Sequence, residues 1–189
     1  MNRKFLAHER RKSPIHEGTH SDSWAVIFQT GPLSVNLMAK KLKLSKGLVS
    51  MYMDILAREG VVKRAGSKFL MNHNASFVKG IKVLLNLSAI DTRILKKYPF
   101  IEAVGLYGSC AKGENTEDSD ADMWMRLGDV AESKKAALAA HLRKKIRNVK
   151  PLFLSAEKVK ELKAKDELFY HALSFGSITL YGVANALEL

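Results

Sequence analysis

The stretch FIEAVGLYGSCAKGENTEDSDADMWMRL, residues 100 to 127, decides the fold. An apolar run over 101 to 107 breaks at Gly108-Ser109, a polar segment with a second glycine at Gly113 follows, and Ser119-Asp120-Ala121-Asp122 leads into another apolar run. Short apolar runs bounded by glycine and polar clusters predict a strand, a turn into a helix start, a loop and a second strand. Gly108 can take backbone angles closed to other residues and leaves room for a ligand to approach the main chain. Ser109 then sits where a helix begins, with its hydroxyl and unpaired backbone N–H groups directed outward, an arrangement suited to phosphate. Side chains two apart on a strand leave the same face, so Asp120 and Asp122 point together, and paired carboxylates suit Mg²⁺.

A divalent ion held between carboxylates and a triphosphate neutralises charge on the leaving oxygens and aligns an in-line attack, so the expected chemistry is nucleotidyl transfer. Gly108-Ser109, Gly113 and Ser119-Asp120-x-Asp122 followed by apolar residues resemble the signature of the minimal nucleotidyltransferase family, relatives of polymerase-beta-like transferases, over residues 99 to 181. The resemblance implies that Gly108, Ser109, Gly113 and Ser119 bind the nucleotide of a nucleoside triphosphate, ATP first among them. It implies that Asp120 and Asp122 are the catalytic, metal-holding pair for Mg²⁺. Members often act as antitoxins beside a small helical toxin, so the resemblance also implies a helical protein partner. The family normally adds a third carboxylate on the strand after the next helix. Here that strand, residues 149 to 155, carries no acid; Lys150 or Pro151 stands at the position, and Glu157 is expected to open the following helix. A cation there would repel a metal at close range, which sets a second reading beside the enzyme: a non-catalytic DNA-binding regulator or antitoxin-type protein whose C-terminal domain senses nucleotide or binds a partner.

Charge divides the chain. Residues 1 to 99 hold 18 Lys and Arg against 6 Asp and Glu, while residues 100 to 189 hold 13 of each, so the whole surplus of 12 precedes the motif. A surplus confined to half a chain points to a surface for a polyanion. The length of 189 residues allows one large domain or two small ones, and 47% hydrophobic and 26% charged content are ordinary for a soluble globular protein. No apolar run is long enough to cross a bilayer and the basic first residues lack a following apolar segment, so the expected setting is the cytoplasm, with no membrane. The single Cys110 excludes an internal disulfide and suits a small residue packed under the turn.

Residues 1 to 20 read as a basic mobile arm, and residues 21 to 73 as a winged helix-turn-helix. Asp22 or Ser23 caps a first helix through Trp24 and Phe28, Ser34 caps a second with Leu37, Met38 and Leu42 inward, and a third spans 46 to 59 with Val49, Met53 and Leu56 inward. Two short strands follow about a turn at 65 to 67. The stretch SKGLVSMYMDILAREGVVKRAGSKFLMN resembles the winged helices of bacterial and archaeal regulators, whose third helix enters the DNA major groove. Lys46, Ser50 and Asp54 lie on that helix's outer face, and Lys40, Lys41, Lys43, Lys63, Arg64 and Lys68 fall near phosphates. Protein docking is the competing use of such a fold, and Met51 and Tyr52 read as packing residues.

Residues 74 to 98 form an apolar-striped helical connector, with a second helix start at Asp91, that couples the domains rigidly or supplies a homodimer contact. Residues 99 to 189 form the nucleotidyltransferase-like domain, with helices at 131 to 148 (Ala137, Leu138, Leu142 and Ile146 inward) and 156 to 175 (His171 in the core), and a closing strand at 178 to 181. The fold class is two-domain α/β: a winged helix-turn-helix, a helical connector, and a small fold with a mixed sheet flanked by helices.

Overall fold

A computed structural model describes residues 25–183 and 187. The expected arm at 1 to 20, and the caps Asp22 and Ser23, lie outside the described residues. Of the expected first helix, Ala25–Phe28 is a single 3-10 turn. Serine hydroxyls begin the next two helices. Ser34 Oγ accepts the Leu37 N–H at 3.1 Å at the start of α1, Val35–Leu42, and Ser45 Oγ accepts the Leu48 N–H at 3.2 Å at the start of α2, Lys46–Arg58. The hairpin of β1, Val62–Ala65, and β2, Lys68–Met71, turns through Gly66, whose φ of 61° suits a residue without a Cβ. Leu33 bridges to Phe69 as a fragment of a third strand. Val26, Leu33, Met38, Val49, Met53, Val62 and Phe69 close a core between these helices and the hairpin.

Leu37, Met51 and Tyr52, read from the sequence as packing residues, are instead exposed. Helices α1 and α2 pack on one side only, so the stripes through Met38 and Ala39 and through Val49 and Met53 are covered and positions a third of a turn away are not.

Helix α3, Ser76–Ala89, and a 3-10 turn, Thr92–Lys97, connect this unit to the sheet. Asp91 caps that turn, accepting the Arg93 N–H at 3.0 Å. The C-terminal part is a four-stranded mixed sheet in the order β5-β4-β3-β6, with β3 Ile101–Leu106, β4 Ala121–Leu127, β5 Val149–Leu154 and β6 Ile178–Tyr181. β3 runs antiparallel to β4 and β6, and β4 runs parallel to β5. The parallel step needs a crossover, which α5, Glu132–Lys145, supplies.

Period-two alternation sends the strand residues to two cores. Val104, Leu106, Met123 and Met125 meet Leu95, Leu138 and Leu142 on one face. Ala103, Trp124 and Leu154 meet Val159, Tyr170 and Leu173 on the other. Gly105 lies under the indole of Trp124, where an added Cβ would come within 2.4 Å of the ring.

Three expectations change here. The single helix expected from 156 to 175 is two, α6 Ala156–Lys165 and α7 Glu167–Gly176, because Asp166 leaves helical angles at φ −140° and its carboxylate caps the Phe169 N–H at 3.1 Å. His171, expected in the core, is exposed, stacked on the exposed ring of Phe175 and 3.4 Å from Glu167. The break at Asp166 starts a new helical phase, which puts Tyr170 and Leu173 inward and turns His171 out. Ala137 is likewise exposed, and Ala139 takes the inward place beside Leu138.

Candidate functional site

β3 ends at Leu106, and the extended Tyr107 precedes α4, Gly108–Lys112, without a side-chain hydrogen bond to cap it. Gly108 has φ 69°, and a Cβ there would lie 2.8 Å from Asp122 Oδ2. The turn that ends one strand therefore touches the carboxylate of its neighbour, and both the backbone angle and the contact require glycine. Cys110 is buried beneath the turn and donates from Sγ to the Asp120 carbonyl at 3.2 Å. Burial, and after it Asp122, pushes its thiol pKa up, which favours the neutral thiol of a packing group.

Asp120 precedes β4 and Asp122 lies on it, both on the face that carries Trp124. In the parallel register Asp122 pairs with Lys150 on β5, so the Lys150 side chain leaves the same face, and its Nζ is 2.6 Å from Asp120 Oδ2. That hydrogen bond, and the Asp120 charge, raise the Lys150 pKa. Asp122 is pushed up from the ordinary carboxylate value, first by burial and then by Asp120, with Lys150 opposing. Among the described residues no third acid, histidine or cysteine joins the two aspartates in a metal-holding group. Glu157 lies in the first turn of α6, as expected.

The motif's other small residues serve the loop. Gly113 ends α4 at φ 69°, and a Cβ there would lie 2.1 Å from the Lys79 carbonyl of α3, so the second glycine is where the connector helix meets the turn. Ser119 Oγ accepts the Thr116 N–H at 2.9 Å and closes the turn before Asp120.

Three residues of α3 that the sequence reading passed over hold this loop. Asn86 donates to the Cys110 carbonyl at 2.8 Å and exchanges amide hydrogen bonds with Asn115. Lys79 pairs with Glu114 at 2.6 Å. Lys82 is wholly buried, donating to the Asn115 carbonyl at 2.6 Å and meeting His73 Nδ1 at 2.9 Å, with the Phe28 ring 5.6 Å away. Their signal was present: polar side chains at 79, 82 and 86 mark one inward face of an otherwise apolar helix.

Two cavities lie beside the loop that leads into β4; Asp120 lines one of them, and Asp122, Gly108 and Ser109 line neither. One, about 340 Å³, is lined by Asp120, Arg143, Asn148 and Lys150. The other, about 420 Å³, lies between α3 and the loop, with Asn86, Thr116, Ser119, Lys145 and Arg147 in its walls. A third cavity, about 690 Å³, lies at the Leu127 end of β4 and is lined by none of Gly108, Ser109, Asp120 and Asp122.

In the N-terminal unit Lys40, Lys41, Lys43, Lys46, Lys63 and Lys68 are exposed and Ser50 is half-buried. Arg64 differs from them: its guanidinium pairs with Asp54 of α2 and sits 5.0 Å over the Phe69 ring, tying the hairpin to the helix.

Residues 92–182 match the family described as Polymerase beta, Nucleotidyltransferase. No curated protein matches the chain. The matched span contains the whole four-stranded sheet, the Gly108–Ser109 turn and both aspartates, so this part of the chain carries a nucleotidyltransferase-like domain. Among the described residues no helix is long and apolar enough to cross a membrane.

Proposed function

We propose that the C-terminal domain binds a nucleoside triphosphate at the Gly108–Ser109 turn and transfers its nucleotide to an acceptor, and that the basic N-terminal unit brings the protein to DNA. The carrying observation is the proximity of Asp122 to Gly108, where an added Cβ would lie 2.8 Å from Oδ2; it brings an acid and a phosphate-suited turn to one end of the sheet. In this reading the Ser109 hydroxyl and the N–H groups of the turn hold phosphate oxygens, and Gly108 leaves the approach clear. Asp120 and Asp122 offer hard oxygen ligands that fit one Mg²⁺, and such an ion neutralises charge on the transferring phosphate. The cavity bearing Arg143 and Lys150 gives an anionic ligand a cationic wall.

Labelled ATP with Mg²⁺ and candidate acceptors tests the reaction. Transfer is expected from the native chain and is expected to be lost when Asp120→Ala and Asp122→Ala are combined. Nucleotide affinity without turnover would favour a second reading, a DNA-bound nucleotide sensor, which the Lys150–Asp120 ion pair supports because it replaces an acid with a cation beside the pair.

For DNA, removing Lys40, Lys41 and Lys43 together should weaken binding to all sequences alike. It should reduce the slope of log affinity against log salt by roughly 0.9 for each phosphate no longer neutralised, measured by fluorescence anisotropy. An unchanged slope would leave protein docking as the use of this surface.

A further inference from the structure

We propose that Lys150 is the resident cation of the nucleotide site, a phosphate contact that lets a nucleoside triphosphate bind without a divalent ion. The inference rests on the nucleotide-site reading above and concerns what neutralises the ligand there. Two carboxylates on one strand face repel a triphosphate, so some positive charge must stand between them. The fold already provides one. The β4–β5 register sets Lys150 beside Asp122, and its ammonium reaches Asp120 Oδ2 at 2.6 Å. An ammonium has three N–H donors, and Asp120 occupies one. The Lys150 side chain is 65% exposed, which leaves the remaining donors open to a ligand, and it shares the adjoining cavity with Arg143 and Asn148. A phosphate in that cavity would meet Lys150 and Arg143 together while Asp120 fixes the ammonium in place.

A divalent ion on Asp120 Oδ2 would have to displace that ammonium, so metal and Lys150 compete for that one oxygen. The residue is therefore a specificity determinant: it makes binding of the triphosphate nearly independent of a divalent ion, whatever that ion does in the transfer step. Because the Lys150 side chain is 65% exposed, Lys150→Ala and Lys150→Asp are expected to fold as the native chain does, which thermal unfolding checks.

Calorimetric titration of ATP into the full chain, once in EDTA and once in Mg²⁺, tests the proposal. The native chain should bind in EDTA with a Kd within about threefold of its value in Mg²⁺, and Lys150→Ala should weaken the EDTA value by about tenfold or more. Lys150→Asp should bind ATP only with Mg²⁺ and should gain affinity for Mn²⁺ alone, read by electron paramagnetic resonance. Binding by the native chain in Mg²⁺ but not in EDTA overturns the role of Lys150 and leaves the nucleotide site standing. Metal-free binding that Lys150→Ala leaves unchanged does the same. No binding under either condition overturns the nucleotide site itself.

Discussion

The hairpin unit and the four-stranded sheet bury their strands differently. β3 is covered on both faces, with Ile101, Ala103, Val104, Gly105 and Leu106 all buried. β1 and β2 bury Val62 and Phe69 and leave most other positions open. The sheet is a rigid scaffold on which a few side chains at one end are held in register. The hairpin unit spends its outer surface on exposed lysines and on Leu37, Met51 and Tyr52, a surface suited to contact and poorly suited to self-support. A polar chain joins the two: the Gln29 carbonyl meets His73 Nε2, His73 Nδ1 meets Lys82, and Lys82 donates to the Asn115 carbonyl of the motif loop.

If the sheet is the scaffold, the most damaging change lies within it. Trp124→Ala removes a side chain 1% exposed between two layers and should cost about 3–5 kcal/mol in urea unfolding. A loss below about 1 kcal/mol would mean that the layer can collapse around the gap and that stability lies elsewhere. Lys82→Ala tests the joint. It leaves His73 Nδ1 and the Asn115 carbonyl without their donor in a closed site, and should cost about 2–3 kcal/mol. Hydrogen exchange should then quicken both in residues 25–72 and in the loop at 113–119. Quickening on one side alone would show that the polar chain does not couple them.

The sequence told most where a local rule was also a tertiary one. The strand–turn–strand of residues 101 to 127 was legible because Gly108 and the Asp-x-Asp spacing are fixed by backbone angles and by period two, with little help from elsewhere. The Ser34 cap was legible for the same reason. What escaped was set by long-range packing. Which sides of α1 and α2 are left bare depends on what the rest of the chain covers, so Leu37 and Tyr52 could not be placed from periodicity alone. The break at Asp166 arose from a side chain that caps as readily as it continues a helix. Gly113 belongs to the family signature, yet its immediate neighbour is the Lys79 carbonyl, more than thirty residues earlier in the chain. The sequence leaves Lys150 or Pro151 at the third-acid position; that Lys150 pairs with Asp122 and reaches Asp120 follows only from the β4–β5 register.

The joint should also respond to acid. Burial, and after it the Lys82 ammonium, lowers the His73 pKa below 6.5, while the Gln29 carbonyl opposes. The neutral ring with its proton on Nε2 suits both neighbours, since Nε2–H donates to Gln29 and Nδ1 accepts from Lys82. The folded state thus takes up this proton less readily than the unfolded chain. The His73 contribution is fully present above pH 6.5 and is lost as pH falls from 6.5 through the lowered folded value. Urea unfolding between pH 7 and 5 should show this fall, and His73→Gln should flatten it; an unchanged slope would remove His73 from the joint.

The smallest effect belongs to the hairpin's own ion pair. Arg64→Ala breaks the contact with Asp54 and the stacking on Phe69, but both charged groups are well exposed, so the stability cost should stay under about 1 kcal/mol. Its sharper use is as a test of the proposed DNA contact. Because Asp54 already engages this guanidinium, Arg64→Ala should alter the salt slope less than removal of Lys63, which the same anisotropy titration reads. An Arg64 effect equal to that of Lys63 would mean that the ion pair opens on DNA and that the hairpin is less tightly fixed to α2 than the free chain suggests.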